Sequence, residues 1–368
     1  MGLGSLGGVL NGAGEAGTNC GVLNRRAGRI SRRRSGADVA PRGPEDGISG
    51  IIGSEQRLPV SRPPRSDGAR GGTPLMEWGR DGGDWPHRER SQFVKVGALN
   101  WHVQRMGSGP VLLLAHGTGA ATHSWRDLMP ELARHFSVVG MDLPGHGFTS
   151  APPSYRMNLR DMSDMLGDLV RELGVEPAMA VGHSAGAAIL ARMILDGGAC
   201  PAALVALNGS LLPIPGMTGQ MYSGMAKMMA LMPALPWMFA WRATDRSAVK
   251  GMIESTGSSL NERGIDLYAR LMRDPVQTGN VVAMMANWDL DGLQRDLPGL
   301  ASKLFLVVGD RDKAVPVKVA RKVQALVPGT ELHMQVGLGH LSHEEAPGET
   351  GALIAQLARS AGVLEGFG

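Results

Sequence analysis

The sequence predicts an α/β fold: a mostly parallel sheet covered by helices on both faces, with a helical cap inserted between its sixth and seventh strands. Three observations predict it. Apolar strand-like runs alternate with helical stretches from residue 92 onward. A serine stands between two glycines, Gly182-His183-Ser184-Ala185-Gly186, where one such run gives way to a helix. Residues 209–290 then break the alternation, with no strand-like run of their own.

Residues 1–75 are rich in Gly, Arg, Pro and Ser and poor in aromatic residues. They bury too little apolar area to offset ordering entropy, so a disordered tail is expected. A second reading starts the protein at Met76, where Trp78 and Trp85 appear at once.

The folded part divides into a core, 76–208 with 291–368, and the cap at 209–290. Gln92–Val96 and Asn100–Arg105 read as a hairpin around Gly97. Val111–Ala115 is an apolar strand followed by a Gly-containing turn and a helical stretch at 124–135. Ser137–Met141 is the next strand. Helix 159–173 carries Leu159, Met162, Leu166, Leu169 and Val170 on one face. The run Ala178–Val181 leads into Ser184, and the small apolar stretch 185–195 is the helix behind it. Strands 203–207, 304–308 and 331–336 follow, with helices at 317–326 and 346–360. The cap holds eleven of the chain's 22 methionines, together with Trp237, Trp241 and Trp288.

Charge bounds the partners. The net charge is +3, but residues 1–90 alone carry +4, so the folded part has no basic excess and no nucleic-acid partner is expected. The two cysteines, Cys20 and Cys200, make neither a disulfide framework nor a zinc site. No apolar run reaches the roughly 20 residues that span a bilayer. Arg32-Arg33-Arg34 is not followed by an apolar segment, so a twin-arginine export signal is not expected and a cytoplasmic location is.

The glycine-flanked serine carries the chemistry. A hydroxyl is a weak nucleophile at neutral pH, so it needs a general base and an acid that orients that base. In this strand order the partners come later, acid before base. Asp312, after the strand 304–308, is the expected acid, and Asp310 competes with it. His340, after the strand 331–336, is the expected base, with His343 as reserve. The backbone N–H groups of Thr118 and Ala185 are the expected oxyanion donors, since the segment His116-Gly117-Thr118-Gly119 also follows a strand. Asp142-Leu143-Pro144-Gly145-His146-Gly147 reads as a structural turn. His340-Leu341-Ser342-His343-Glu344 matches no zinc spacing, so neither a metal nor an organic cofactor is expected.

Taken together, these residues resemble the α/β-hydrolase superfamily over about 92–362. The segments Trp85-Pro86-His87, Leu99-Asn100-Trp101-His102-Val103, His116–Trp125 and Gly182–Ala187 resemble more narrowly the magnesium-chelatase accessory proteins of bacteriochlorophyll biosynthesis. The resemblance implies a serine hydrolase fold serving magnesium insertion in a phototroph; the alternatives it leaves open are a cytoplasmic place or one at the photosynthetic membrane surface, and a small apolar substrate or the chelatase subunits as partner. A Met- and Trp-lined cleft would suit an apolar tetrapyrrole or its ester. The competing reading is a non-catalytic protein that holds a porphyrin or contacts the chelatase. Epoxide hydrolases and dehalogenases need a carboxylate where this chain has Ser184.

Overall fold

The computed structural model describes residues 76–213, 232 and 234–365. The predicted tail at 1–75 lies outside them, as do 214–231 and 233 of the predicted cap.

Eight strands form one sheet in the order β1-β2-β4-β3-β5-β6-β7-β8. They are β1 (Ser91–Val96), β2 (Leu99–Met106), β3 (Val111–Ala115), β4 (Ser137–Met141), β5 (Pro177–His183), β6 (Ala203–Leu207), β7 (Lys303–Gly309) and β8 (Glu331–Gln335). The β1–β2 and β2–β4 pairs are antiparallel, and every other pair is parallel. Gly97 turns the β1–β2 hairpin at φ +57°, a left-handed conformation that costs glycine little.

The central strands are apolar throughout because both faces are covered. Alternate residues go to opposite sides: Leu112, Leu114, Val205 and Phe305 to one cluster, Leu113, Ala115, Ala206 and Leu306 to the other. With the short N-terminal helix Trp78–Asp81 counted as α1, the first cluster is closed by α2 (Leu128–Leu132) and a helix at Pro347–Ser360. The second is closed by α3 (Leu159–Glu172) and α4 (Ala185–Leu195). Asn158 caps α3 by accepting the Asp161 N–H at 2.9 Å.

The helix expected over 124–135 is shorter. A 3₁₀ turn covers Thr122–Trp125, and α2 begins only at Leu128. The chemistry explains the break. Pro130 has no N–H to return to Arg126, and the Arg126 carbonyl instead accepts from His87 Nε2 at 2.7 Å.

Between β6 and β7 the described residues form α5 (Leu235–Arg242), α6 (Arg246–Ser255), α7 (Glu262–Met272) and α8 (Pro275–Ala286). A short α9 (Asp291–Asp296) then leads back to the sheet. After β7 come α10 (Val317–Leu326), α11 (Ser342–Glu345) and α12, the helix Pro347–Ser360 already placed on the first face. A buried polar clamp fastens α7 to the core. Tyr268 donates to Glu344 of α11 at 2.7 Å, and Glu344 is also ion-paired with Arg126. Burial pushes the Glu344 carboxyl up to about 7, against the pull of the Arg126 guanidinium and the Tyr268 hydroxyl.

Candidate active site

Ser184 sits where β5 passes directly into α4, with φ +50° and ψ −117°. That conformation is strained for a residue with a side chain. Backbone bonds hold it: the Ser184 N–H donates to Leu207 O at 3.0 Å, and the Ser184 carbonyl accepts from Ser210 at 3.0 Å. The two flanking glycines are steric requirements. A Cβ on Gly182 would strike the backbone of Ala187, and one on Gly186 would strike the carbonyls of Ala115 and His116.

His340 and Asp312, the expected base and acid, lie on the loops after β8 and β7. His340 Nδ1 lies 2.8 Å from Asp312 Oδ2. The other Asp312 oxygen accepts from the Ala314 and Val315 N–H groups, each at 2.8 Å. Both residues are buried, and His340 shares one pocket with Ser184. Asp310 goes elsewhere: it is exposed and accepts from the Gly337 N–H at 2.7 Å. His343 is also away from the pocket. It is fully buried, with its ring 4.7 Å from Trp125 and 4.5 Å from His183. Burial holds its imidazole down at about 3, so it stays neutral.

Thr118 and Ala185 border the same pocket. Among the described residues, no acceptor takes either amide N–H. His116, whose part the sequence did not reveal, aims one of them. Its Nε2 accepts the Leu143 N–H at 2.9 Å, so the proton sits on Nδ1, which donates to Gly117 O at 2.8 Å. The peptide is planar and trans, so anchoring the Gly117 carbonyl points the Thr118 N–H the opposite way. Gly117 must be glycine here, because a Cβ would come within 2.8 Å of His183 Nδ1.

Asn208 is a second residue that sequence reading missed. It is fully buried at the end of β6, with φ +46°. Its side-chain oxygen accepts from Gly309 N at 2.8 Å. Its amide donates to His340 O at 2.8 Å, Gly339 O at 3.2 Å and Ser342 Oγ at 3.1 Å. His183 Nε2 meets the same His340 carbonyl at 2.9 Å. One side chain thus ties the base loop to the start of the acid loop. The hint available in the sequence is the residue type alone, since asparagine tolerates a left-handed φ better than most residues.

The pocket has a volume of about 350 Å³. Met284, Met285, Trp288, Leu212 and Val315 supply apolar wall. Two methionines and one tryptophan of the expected Met/Trp cleft are therefore in place. Trp237 and Trp241 are not, being 62% and 73% exposed on α5. A larger cavity of about 520 Å³, lined by Asp84, Arg263, Arg270 and Asp274, contains neither Ser184 nor His340.

The turn after β4 is a clamp. Asp142 is fully buried, accepts from Thr122 N and Phe148 N at 2.6 and 2.9 Å, and lies 2.8 Å from His102 Nδ1. Burial alone would raise its pKa, but the His102 partner and the amides hold the carboxyl far below the usual range. His102 Nε2 lies 2.9 Å from Ser91 Oγ, so this chain of groups has triad-like spacing. Its imidazole and carboxylate are both shut off from solvent.

The family model of the alpha/beta hydrolase fold matches residues 110–347. The chain belongs to the alpha/beta hydrolase fold family. It is 35% identical over 266 residues to the Magnesium-chelatase 30 kDa subunit of Rhodobacter capsulatus, covering 72% of this chain and 92% of that protein. It is 23% identical over 258 residues to the 2-hydroxy-6-oxo-2,4-heptadienoate hydrolase of Pseudomonas putida, covering 68% of this chain and 90% of that one. Among solved structures it resembles an esterase from Exiguobacterium antarcticum with a TM-score of 0.61 and 18% identity, covering 73% of this chain and 98% of that one. No described helix of this alpha/beta hydrolase-fold protein is long and apolar enough to cross a membrane, and no metal-binding group of His, Cys, Asp or Glu occurs among the described residues.

Proposed function

We propose that this protein is a serine hydrolase that cleaves an ester or similar acyl bond, and that it serves magnesium insertion in bacteriochlorophyll biosynthesis. The observation that carries the chemistry is the 2.8 Å contact of His340 with Asp312, made by a histidine that shares its pocket with the strained Ser184. Similarity to the Magnesium-chelatase 30 kDa subunit supports the pathway role. The protein acts in the cytoplasm, at the surface of the photosynthetic membrane.

Ser184 Oγ attacks the acyl carbon while His340 Nε2 takes its proton. The amides of Thr118 and Ala185 receive the charge that develops on the carbonyl oxygen. His340 returns the proton to the leaving alcohol. A water molecule, activated by the same imidazole, then releases the acid and restores Ser184. Asp312 holds the tautomer with the proton on Nδ1 and stabilises the imidazolium as it forms.

A second reading is favoured by the same relative, which is named as a subunit of the chelatase. In it, the protein contacts the chelatase or holds a porphyrin without chemistry. One experiment separates the two. A fluorophosphonate probe labels the wild type and not Ser184→Ala, and the variant fails to restore pigment in a deletion strain, if hydrolysis is the function. An unlabelled wild type together with full rescue by Ser184→Ala supports the chelatase-contacting role. Protoporphyrin accumulation in the deletion strain places the step at magnesium insertion.

A further inference from the structure

The pocket around Ser184 is apolar on its wall and acidic at its rim. Asp291, at the start of α9, lines it and is exposed. It has no ion-pair partner among the described residues. Its N–H is taken by Asp289 Oδ1 at 2.9 Å, which places a second carboxylate beside it. Apart from Ser184, His340, the Thr118 and Ala185 amides and the Ser210 and Thr256 hydroxyls, the wall is supplied chiefly by Met284, Met285, Trp288, Leu212 and Leu290, which carry no positive charge to hold an anion. A volume of about 350 Å³ lies near the low end of the roughly 300–1,000 Å³ typical of small-molecule sites.

We infer that the site selects uncharged esters carrying a slim apolar arm and turns away anionic ones, with Asp291 setting this preference. The inference rests on the hydrolase reading and narrows its substrate class. A carboxylate at the mouth of a low-dielectric pocket repels a second carboxylate on its way in, and it repels most at low ionic strength. The same charge assists release. Hydrolysis adds water across the ester and yields an alcohol and a carboxylate, so the new negative charge appears on a product facing Asp291.

Two esters of equal arm length test this: p-nitrophenyl butyrate and p-nitrophenyl hemisuccinate. The full chain should favour butyrate in kcat/KM by about fivefold to tenfold at low salt, the size of effect expected from a local surface field. In Asp291→Lys the ratio should invert, and 0.5 M salt should compress both ratios. An unchanged ratio in Asp291→Lys overturns the inference. A binding measurement removes the dependence on turnover. In a Ser184→Ala background, calorimetry with hexanamide and hexanoate should show the amide binding more tightly, and Asp291→Lys should reverse the order. Equal affinities, or no binding of hexanamide, overturn the inference. Esters left untouched by the wild type, with the binding order still reversed by Asp291→Lys, would instead sink the hydrolase reading and leave the charge preference standing.

Discussion

The side-chain amide of Asn208 donates to the backbone carbonyl of His340 at 2.8 Å, across 132 residues of sequence. The bond reaches His340 from behind, at its backbone, and leaves the imidazole ring free to meet Asp312 and to line the pocket it shares with Ser184. Because the Asn208 oxygen also accepts from Gly309, a shift of either loop disturbs the other. Asn208→Gly should relieve the left-handed φ while deleting every side-chain bond. We expect kcat to fall with KM little changed, and the solvent-shielded Nδ1 proton resonance of His340 to broaden. Asn208→Asp should be worse, because it sets an acceptor against two carbonyl oxygens. An unsatisfied buried polar group costs about 1–3 kcal/mol, which thermal melting would read.

Stability should depend on pH through the buried histidines. Desolvation lowers the pKa of His116, His123, His146, His183 and His343, the last to about 3. The folded state therefore refuses protons that the unfolded chain accepts. Their contribution is fully present above about 6.5, the unfolded value, and is lost as pH falls below it. For His146 and His343, both held at about 3, the loss reaches about 2 kcal/mol each by pH 5. Glu344 runs the other way: its raised pKa gives stability that is lost as pH rises from the ordinary carboxylate range through about 7. Urea melts from pH 8 to 4.5 should show a steep acid limb, and His343→Phe, which removes two ring nitrogens that have no partner among the described residues, should flatten it. A flat profile over that range would refute the account.

The cap should loosen where its polar tie is cut. Tyr268→Phe keeps the ring packed 4.6 Å from His123 but removes the hydroxyl bond to Glu344. A hydrogen bond to a charged group contributes about 1.5–3 kcal/mol. Hydrogen exchange should rise in α7 while the sheet stays protected. Uniform change across the molecule would contradict a local tie.

The site was legible where its demands are local. Gly182 and Gly186 are dictated by backbone contacts within the elbow, and a sequence shows such constraints directly. Asp312 and His340 were legible because each sits just past the end of a parallel strand, where this class of sheet places its chemistry. Asn208 and His116 were not. Their work is done through partners 27 to 132 residues away, and no periodicity records that. The interruption at Arg126 was half legible: Pro130, which offers no N–H to the Arg126 carbonyl, stands in the sequence, but the His87 that meets that carbonyl comes from the N-terminal segment.

That segment supports a proposal about the folded unit itself. The Met76 side chain is buried with Trp85, Leu267 and Leu271, and its N–H donates to Asp274 Oδ2 at 3.3 Å. We propose that residues from Met76 onward fold alone. A chain beginning there should melt at the same temperature as the full sequence. At that terminus the bond to Asp274 becomes an ion pair, so Asp274→Asn should destabilise the shorter chain more than the longer one. A shorter chain that melts well below the full sequence would reject this.

The choice between two loop carboxylates makes the sharpest kinetic prediction. Asp312 meets His340 with one oxygen and takes two amides with the other, whereas Asp310 is spent on Gly337 at the surface. Asp312→Asn preserves the shape, and its side-chain oxygen can still accept both amides. Its NH₂ then faces His340 Nδ1, which favours the tautomer with the proton on Nε2, where Ser184 needs an acceptor. We expect kcat for a simple ester to fall by about 10⁴, as in other triads, with Ser184→Ala and His340→Ala losing at least as much. Asp310→Asn should keep activity within a few-fold of wild type. The opposite ranking of the two asparagine variants would move the acid to position 310, and equal, small losses in both would leave His340 without the partner that a general base at neutral pH requires.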